Sequence, residues 1–171
     1  TAIVCTFTNR RPTLTLVKAW SGANVNDAIN FTATGLTTFA SVANTASETD
    51  TAAAQPVSVG AAITLAETFT TGSAANYNSV LTCSGNATAL VGNVLTVNAA
   101  DTAITCTQTN TRRTATLTLR KQWNNAVVNN AVNFTATGLT TFNAVANTAT
   151  EMDTAAAQSV SAGAAITLAE T

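Results

Sequence analysis

The chain has 171 residues, of which 9% are charged and 5% aromatic, with seven basic against eight acidic side chains, a net charge of −1 and no histidine. A soluble globular domain ordinarily carries roughly 25% charged residues, so the basic footprint that nucleic acid requires is missing, as is the commonest general base and metal ligand near neutral pH. No apolar run reaches the roughly 18 residues that span a bilayer as a helix, and 36 Thr with 35 Ala make a composition of structural or surface proteins, for which no cofactor and no metal is expected.

In chain order, the period-two runs rich in Thr and Val predict strands over 13–20, 29–35, 56–60, 61–69, 76–83, 93–98 and 102–110, separated by Gly, Asn and Asp turns. Between the second and third runs, Thr51–Gln55 reads as a short helical turn capped by Ser47 and Asp50. Seven short strands in about 100 residues predict an all-β fold of the immunoglobulin-like β-sandwich type.

The chain also repeats itself. Residues 13–68 align without gaps on residues 116–171, and Phe31 to Phe39 returns unchanged as Phe134 to Phe142. The opening Thr1 to Arg11 matches Thr102 to Arg112, including Cys5 on Cys106 and Asn9 on Asn110. A period near 103 residues is that of a domain, not of a solenoid unit. Residues 1–10 therefore read as the last strand of a preceding repeat, 11–111 as a complete sandwich and 112–171 as the first part of the next. Two assemblies fit this frame: tandem beads on one chain, or subunits that complete one another by adding strands.

Strand parity assigns side chains to faces. In the first strand Leu14, Leu16, Lys18 and Trp20 share one face; the repeat places Arg120 where Val17 stood on the other, so the leucine face is the buried one. Lys18, and its copy Lys121, are thus the only lysines of the chain and both lie on an apolar face. By the same reading Glu67 and its copy Glu170 share a face with Ile63 and Leu65 or their copies, while Asn110 and its copy Asn9 close a strand face with Ile104 and Cys106 or their copies. An unpaired buried polar or charged group costs several kcal/mol, so Lys18, Glu67 and Asn110 are expected to meet.

Lys in the first strand, Glu in Leu65-Ala-Glu-Thr68 ahead of a loop ending in Tyr77, and Asn closing the last strand resemble the collagen-adhesin B-type, or SpaA-type, prealbumin-like domains of bacterial surface proteins. The resemblance implies tandem prealbumin-like sandwiches at the bacterial cell surface, each with an isopeptide bond from Lys18 to Asn110 assisted by Glu67 as acid and base. Burial lowers a lysine pKa and raises that of a glutamic acid, which favours such a step. It is a single turnover during maturation, and the protein is not expected to be an enzyme acting on external substrates. A buried Lys–Glu pair hydrogen-bonded to Asn, with no covalent bond, is the simpler arrangement of the same residues. Asn9, Lys121 and Glu170 hold the equivalent positions of the partial repeats.

Cys83 and Cys106 fall in one domain and are expected to form a disulfide, with Cys5 paired to a residue preceding this segment; reduced core cysteines are the alternative. Glu48 and Asp50 recur as Glu151 and Asp153 and read as a solvated turn in preference to a calcium loop. The expected function is a structural repeat of an extracellular fibre, filament or adhesin stalk, with neighbouring repeats or identical subunits as partners. The alternative is an adhesin module gripping a host protein or glycan through loops such as 37–55.

Overall fold

The computed structural model describes residues 2–6 and 10–171, and the chain divides into two compact units, Thr1–Arg112 and Arg113–Thr171. Among the described residues the regular structure is all β, apart from one short 3-10 turn at Ala74–Asn76.

The first unit contains β1 (Thr13–Ser21), β2 (Ala28–Ala33), β3 (Phe39–Val42), β4 (Ser47–Thr51), β5 (Gln55–Pro56), β6 (Ala62–Thr71), β7 (Tyr77–Ser84), β8 (Val94–Thr96) and β9 (Ala103–Arg112). One sheet runs β4-β1-β9-β7, with β5 on the start of β1; the other runs β3-β2-β6-β8. β1 and β9 lie parallel over their full length, Thr13 opposite Ala103 through Ser21 opposite Thr111. All other ladders of this unit are antiparallel.

The alternation read from the sequence is the alternation found. Leu14, Leu16, Lys18 and Trp20 of β1 are buried and the residues between them half-buried; β9 buries Ile104, Cys106, Gln108 and Asn110. Their apolar members form one core with Ile29 and Phe31 of β2 and Ile63 and Leu65 of β6, so the two sheets face each other across it. Burying each such Leu, Ile or Phe contributes about 1.5–3 kcal/mol relative to exposure.

Two expectations are corrected. The helical turn at Thr51–Gln55 is absent: β4 runs through Thr51 and pairs with β1, Asp50 opposite Lys18. Neither expected cap acts as one: the Ser47 hydroxyl accepts the backbone N–H of Gly22. Glu48 accepts the backbone N–H groups of Asn44 and Thr45 and so closes the turn before β4, while Asp50 accepts the Ser41 hydroxyl, which itself receives the Trp20 indole N–H. Ser47 and Asp50, residue types that suit a helical cap, sit instead on a strand paired with β1. Segment 37–55 is therefore two strands and their connections, and the strand expected at 56–60 shrinks to Gln55–Pro56 because the chain turns at Gly60, whose φ is +83°.

The second unit has β10 (Thr114–Leu117), β11 (Arg120–Trp123), β12 (Ala131–Ala136), β13 (Phe142–Val145), β14 (Glu151–Thr154), β15 (Gln158–Ser161) and β16 (Leu168–Glu170). β10 pairs with β15, β11 with β14, and β12 with both β13 and β16. The counterpart of β1 is thus two short strands, and a cleft of about 410 Å³ lined by Leu117, Leu119, Phe134, Leu168 and Glu170 stands open; the matching Leu14, Leu16, Phe31 and Leu65 are at most 1% exposed. Where the repeat has Ala144 in place of Ser41, the Trp123 indole N–H reaches Asp153 directly, at 2.9 Å. Asn125, at φ +53°, replaces Gly22, at φ +66°; asparagine is among the few side chains that tolerate this left-handed backbone.

Candidate functional site

Lys18, Glu67 and Asn110 meet inside the first unit. Lys18 comes from the middle of β1, Glu67 from β6 on the facing sheet, and Asn110 from β9, two residues past the point where Lys18 is opposite Gln108. Lys18 Nζ is 3.0 Å from Glu67 Oε1, and the Asn110 side-chain amide donates to the same oxygen at 2.7 Å. Lys18 and Asn110 are fully buried and the Glu67 side chain is 9% exposed. The ammonium makes a charge contact with Glu67 and no aligned hydrogen bond; its other neighbour is the Trp20 ring, 4.2 Å from Nζ to the ring centre. One carboxylate oxygen therefore touches both nitrogens between which a proton would have to pass.

Burial drives the Lys18 pKa down from 10.5 to about 8, against the opposing pull of the Glu67 carboxylate. Desolvation penalises the charged amine, so near neutral pH the neutral, nucleophilic form is far more accessible than at a surface lysine. Linkage gives the sign for an uncross-linked chain. Between about 8 and 10.5 the unfolded state holds the proton that the folded state has released, so stability rises with pH across that window. Tyr77, raised by burial and by the Asp27 carboxylate from 10.0 to about 12, acts oppositely: above 10 the unfolded state loses its proton first and stability falls. Denaturant midpoints of Asn110→Ala are expected to climb from pH 8 to a maximum near pH 10 and to fall beyond it. A flat profile from pH 8 to 10 contradicts the burial of the amine.

The surroundings hold these groups in place. Tyr77 stacks on Phe69, and both present edges to Trp20. The Tyr77 hydroxyl donates to Asp27 and accepts from the Asn24 N–H; a Cβ at Gly72, φ +85°, would collide with that carboxylate. In the second unit Lys121 Nζ lies 2.7 Å from Glu170 Oε1, at a more open site whose side chains are 19% and 43% exposed. Asn9 lies outside the described residues.

Cys83 and Cys106 form a disulfide across neighbouring strands β7 and β9. Cys5 is exposed and has no disulfide partner among the described residues. Among the described residues no cluster of His, Cys, Asp and Glu is arranged to hold a metal ion, and no helix is long and apolar enough to cross a membrane.

One contact was missed from the sequence. Ser79 on β7 lies directly opposite Asn110 and donates its hydroxyl to Asn110 Oδ1 at 2.7 Å. The signal was present: in an antiparallel pair that sets Cys83 opposite Cys106, counting four residues back and four forward brings Ser79 opposite Asn110.

No family model, no curated protein and no solved structure matches this chain.

Proposed function

We propose that the chain is a load-bearing segment of an extracellular bacterial surface fibre, filament or adhesin stalk, built from tandem prealbumin-like, immunoglobulin-like sandwiches, each tied internally by a Lys–Asn isopeptide bond. The observation that carries this reading is the convergence of Lys18, Glu67 and Asn110 between the first strand, the last strand and the facing sheet. The disulfide is compatible with an oxidising, extracellular setting, and neighbouring repeats or identical subunits are the partners this role needs.

The topology gives the bond a mechanical purpose. β1 and β9 are parallel neighbours near the two ends of the unit, so tension applied through those ends pulls them in opposite directions and shears their shared ladder. A covalent bridge from Lys18 to Asn110 joins those same two strands, and the load passes through it and leaves the hydrogen bonds unloaded. Pulling the full chain from its ends in a single-molecule experiment is expected to release none of the length between Lys18 and Asn110, whereas Lys18→Met releases that length at modest force, apart from the 83–106 loop that the disulfide keeps closed. Release of the length between Lys18 and Asn110 outside the 83–106 disulfide loop in the unsubstituted chain, or saturable binding of a host protein or glycan lost on substitution within 37–55, overturns the stalk reading.

A further inference from the structure

We infer that Ser79 is a catalytic residue of isopeptide formation: it polarises the Asn110 carbonyl and holds the oxyanion, leaving Glu67 to move protons only. The inference rests on the proposed Lys18–Asn110 bond and concerns how that bond is made.

The geometry divides the work between two groups. Asn110 turns its amide nitrogen to Glu67 Oε1 and its carbonyl oxygen to Ser79 Oγ, each at 2.7 Å. Glu67 touches Lys18 Nζ and Asn110 Nδ2, and the donor to the carbonyl oxygen is the serine. A carbonyl under attack concentrates negative charge on its oxygen, and a donor already in place there stabilises the transition state. A carboxylate shared by the attacking and leaving nitrogens has the position needed to carry a proton from one to the other.

The step balances. The Lys18 ammonium gives a proton to Glu67, and the neutral amine attacks Asn110 Cγ; the Nζ–Cγ bond forms and the carbonyl π pair moves to Oδ1, held by the Ser79 hydroxyl. Glu67 protonates Nδ2, the Cγ–Nδ2 bond breaks as the carbonyl re-forms, and ammonia departs. Glu67 takes the second proton from Nζ and yields it to the departing ammonia. The sum is a lysine ammonium and an asparagine carboxamide giving a secondary amide and ammonium, with Glu67 and Ser79 unchanged.

Ser79, itself exposed, lines a cleft of about 610 Å³ together with Glu67, Leu81 and Gln108. The cleft offers the ammonia a way out. It also sets the size of the effect, since water can partly replace a lost hydroxyl there. A fully enclosed oxyanion donor is worth about 10²–10³ in rate; at this half-open position the expected loss is roughly tenfold.

The test follows ammonia loss by intact mass during cell-free synthesis of the full chain, quenched in acid at intervals. Ser79→Ala is expected to slow the loss roughly tenfold, and Ser79→Thr, which keeps the hydroxyl, to run within about twofold of the unsubstituted chain. In a Lys18→Met background, which forms no bond, Ser79→Ala is expected to leave the denaturant midpoint unchanged. If the unsubstituted chain never loses ammonia, the bond itself is refuted. If it does and Ser79→Ala keeps pace, only the role of Ser79 falls, as it does if the alanine variant is slow, threonine does not rescue it and the midpoint drops.

Discussion

Glu67→Ala is expected to abolish the loss of one ammonia proposed for the unsubstituted protein, and to destabilise the first unit by about 3–5 kcal/mol relative to an unbonded chain that keeps Glu67. Both effects come from one oxygen. Glu67 Oε1 touches Lys18 Nζ and Asn110 Nδ2, so its removal takes away the proposed proton carrier and the counter-charge together. The fully buried ammonium is then left with the face of Trp20, and a cation–π contact worth about 2 kcal/mol when desolvated does not offset the loss of an ionic partner. Glu67→Gln separates the two effects: it keeps the shape and a hydrogen-bonding oxygen, moves no proton, and is expected to block the bond at a smaller cost in stability. Intact mass under denaturing conditions, and guanidinium unfolding of the Asn110→Ala reference, which keeps the Lys18–Glu67 pair, and of the same chain carrying Glu67→Gln or Glu67→Ala, provide the measurements. Ammonia loss that persists in Glu67→Ala refutes the assignment.

The second large effect is that of the disulfide. Cys83 and Cys106 are 23 residues apart in sequence, and closing a loop of that length removes unfolded-state entropy worth about 3 kcal/mol in the chain-entropy model. Replacing both cysteines by alanine is expected to cost about that much, plus a smaller contribution from the space left by Cys106, which is fully buried in the core. For a domain of this size that corresponds to a fall in Tm of roughly 10–20 °C. Calorimetry of the full chain, compared with the double variant, reads it. A transition that does not move shows that the bridge adds nothing to the core around it.

The parts of the fold legible in the sequence were those with a local, periodic cause. Alternation along Thr13–Ser21 and Ala103–Arg112 placed Lys18 and Asn110 on buried faces because successive side chains on a strand must point to opposite sides. Only two cysteines fall within residues 11–111, which limited their pairing. Local chemistry misled at 47–55: Ser47 and Asp50 suit a helix cap and equally an edge strand, and the pairing of β4 with β1 decided between them. Ser79 went unnoticed because it is small, exposed and unremarkable until its position opposite Asn110 is known.

By itself, then, the sequence determined the repeat, the inward face of each main strand, the disulfide pair and the three polar residues that burial would force together. Tertiary structure decided that β1 and β9 lie parallel and adjacent, that Glu67 reaches both nitrogens from the opposite sheet, and that Ser79 rather than Glu67 faces the carbonyl oxygen. The division has a physical basis. Facing is set by backbone geometry one residue at a time, whereas strand order and register minimise the free energy of the whole sheet and are written in no single segment.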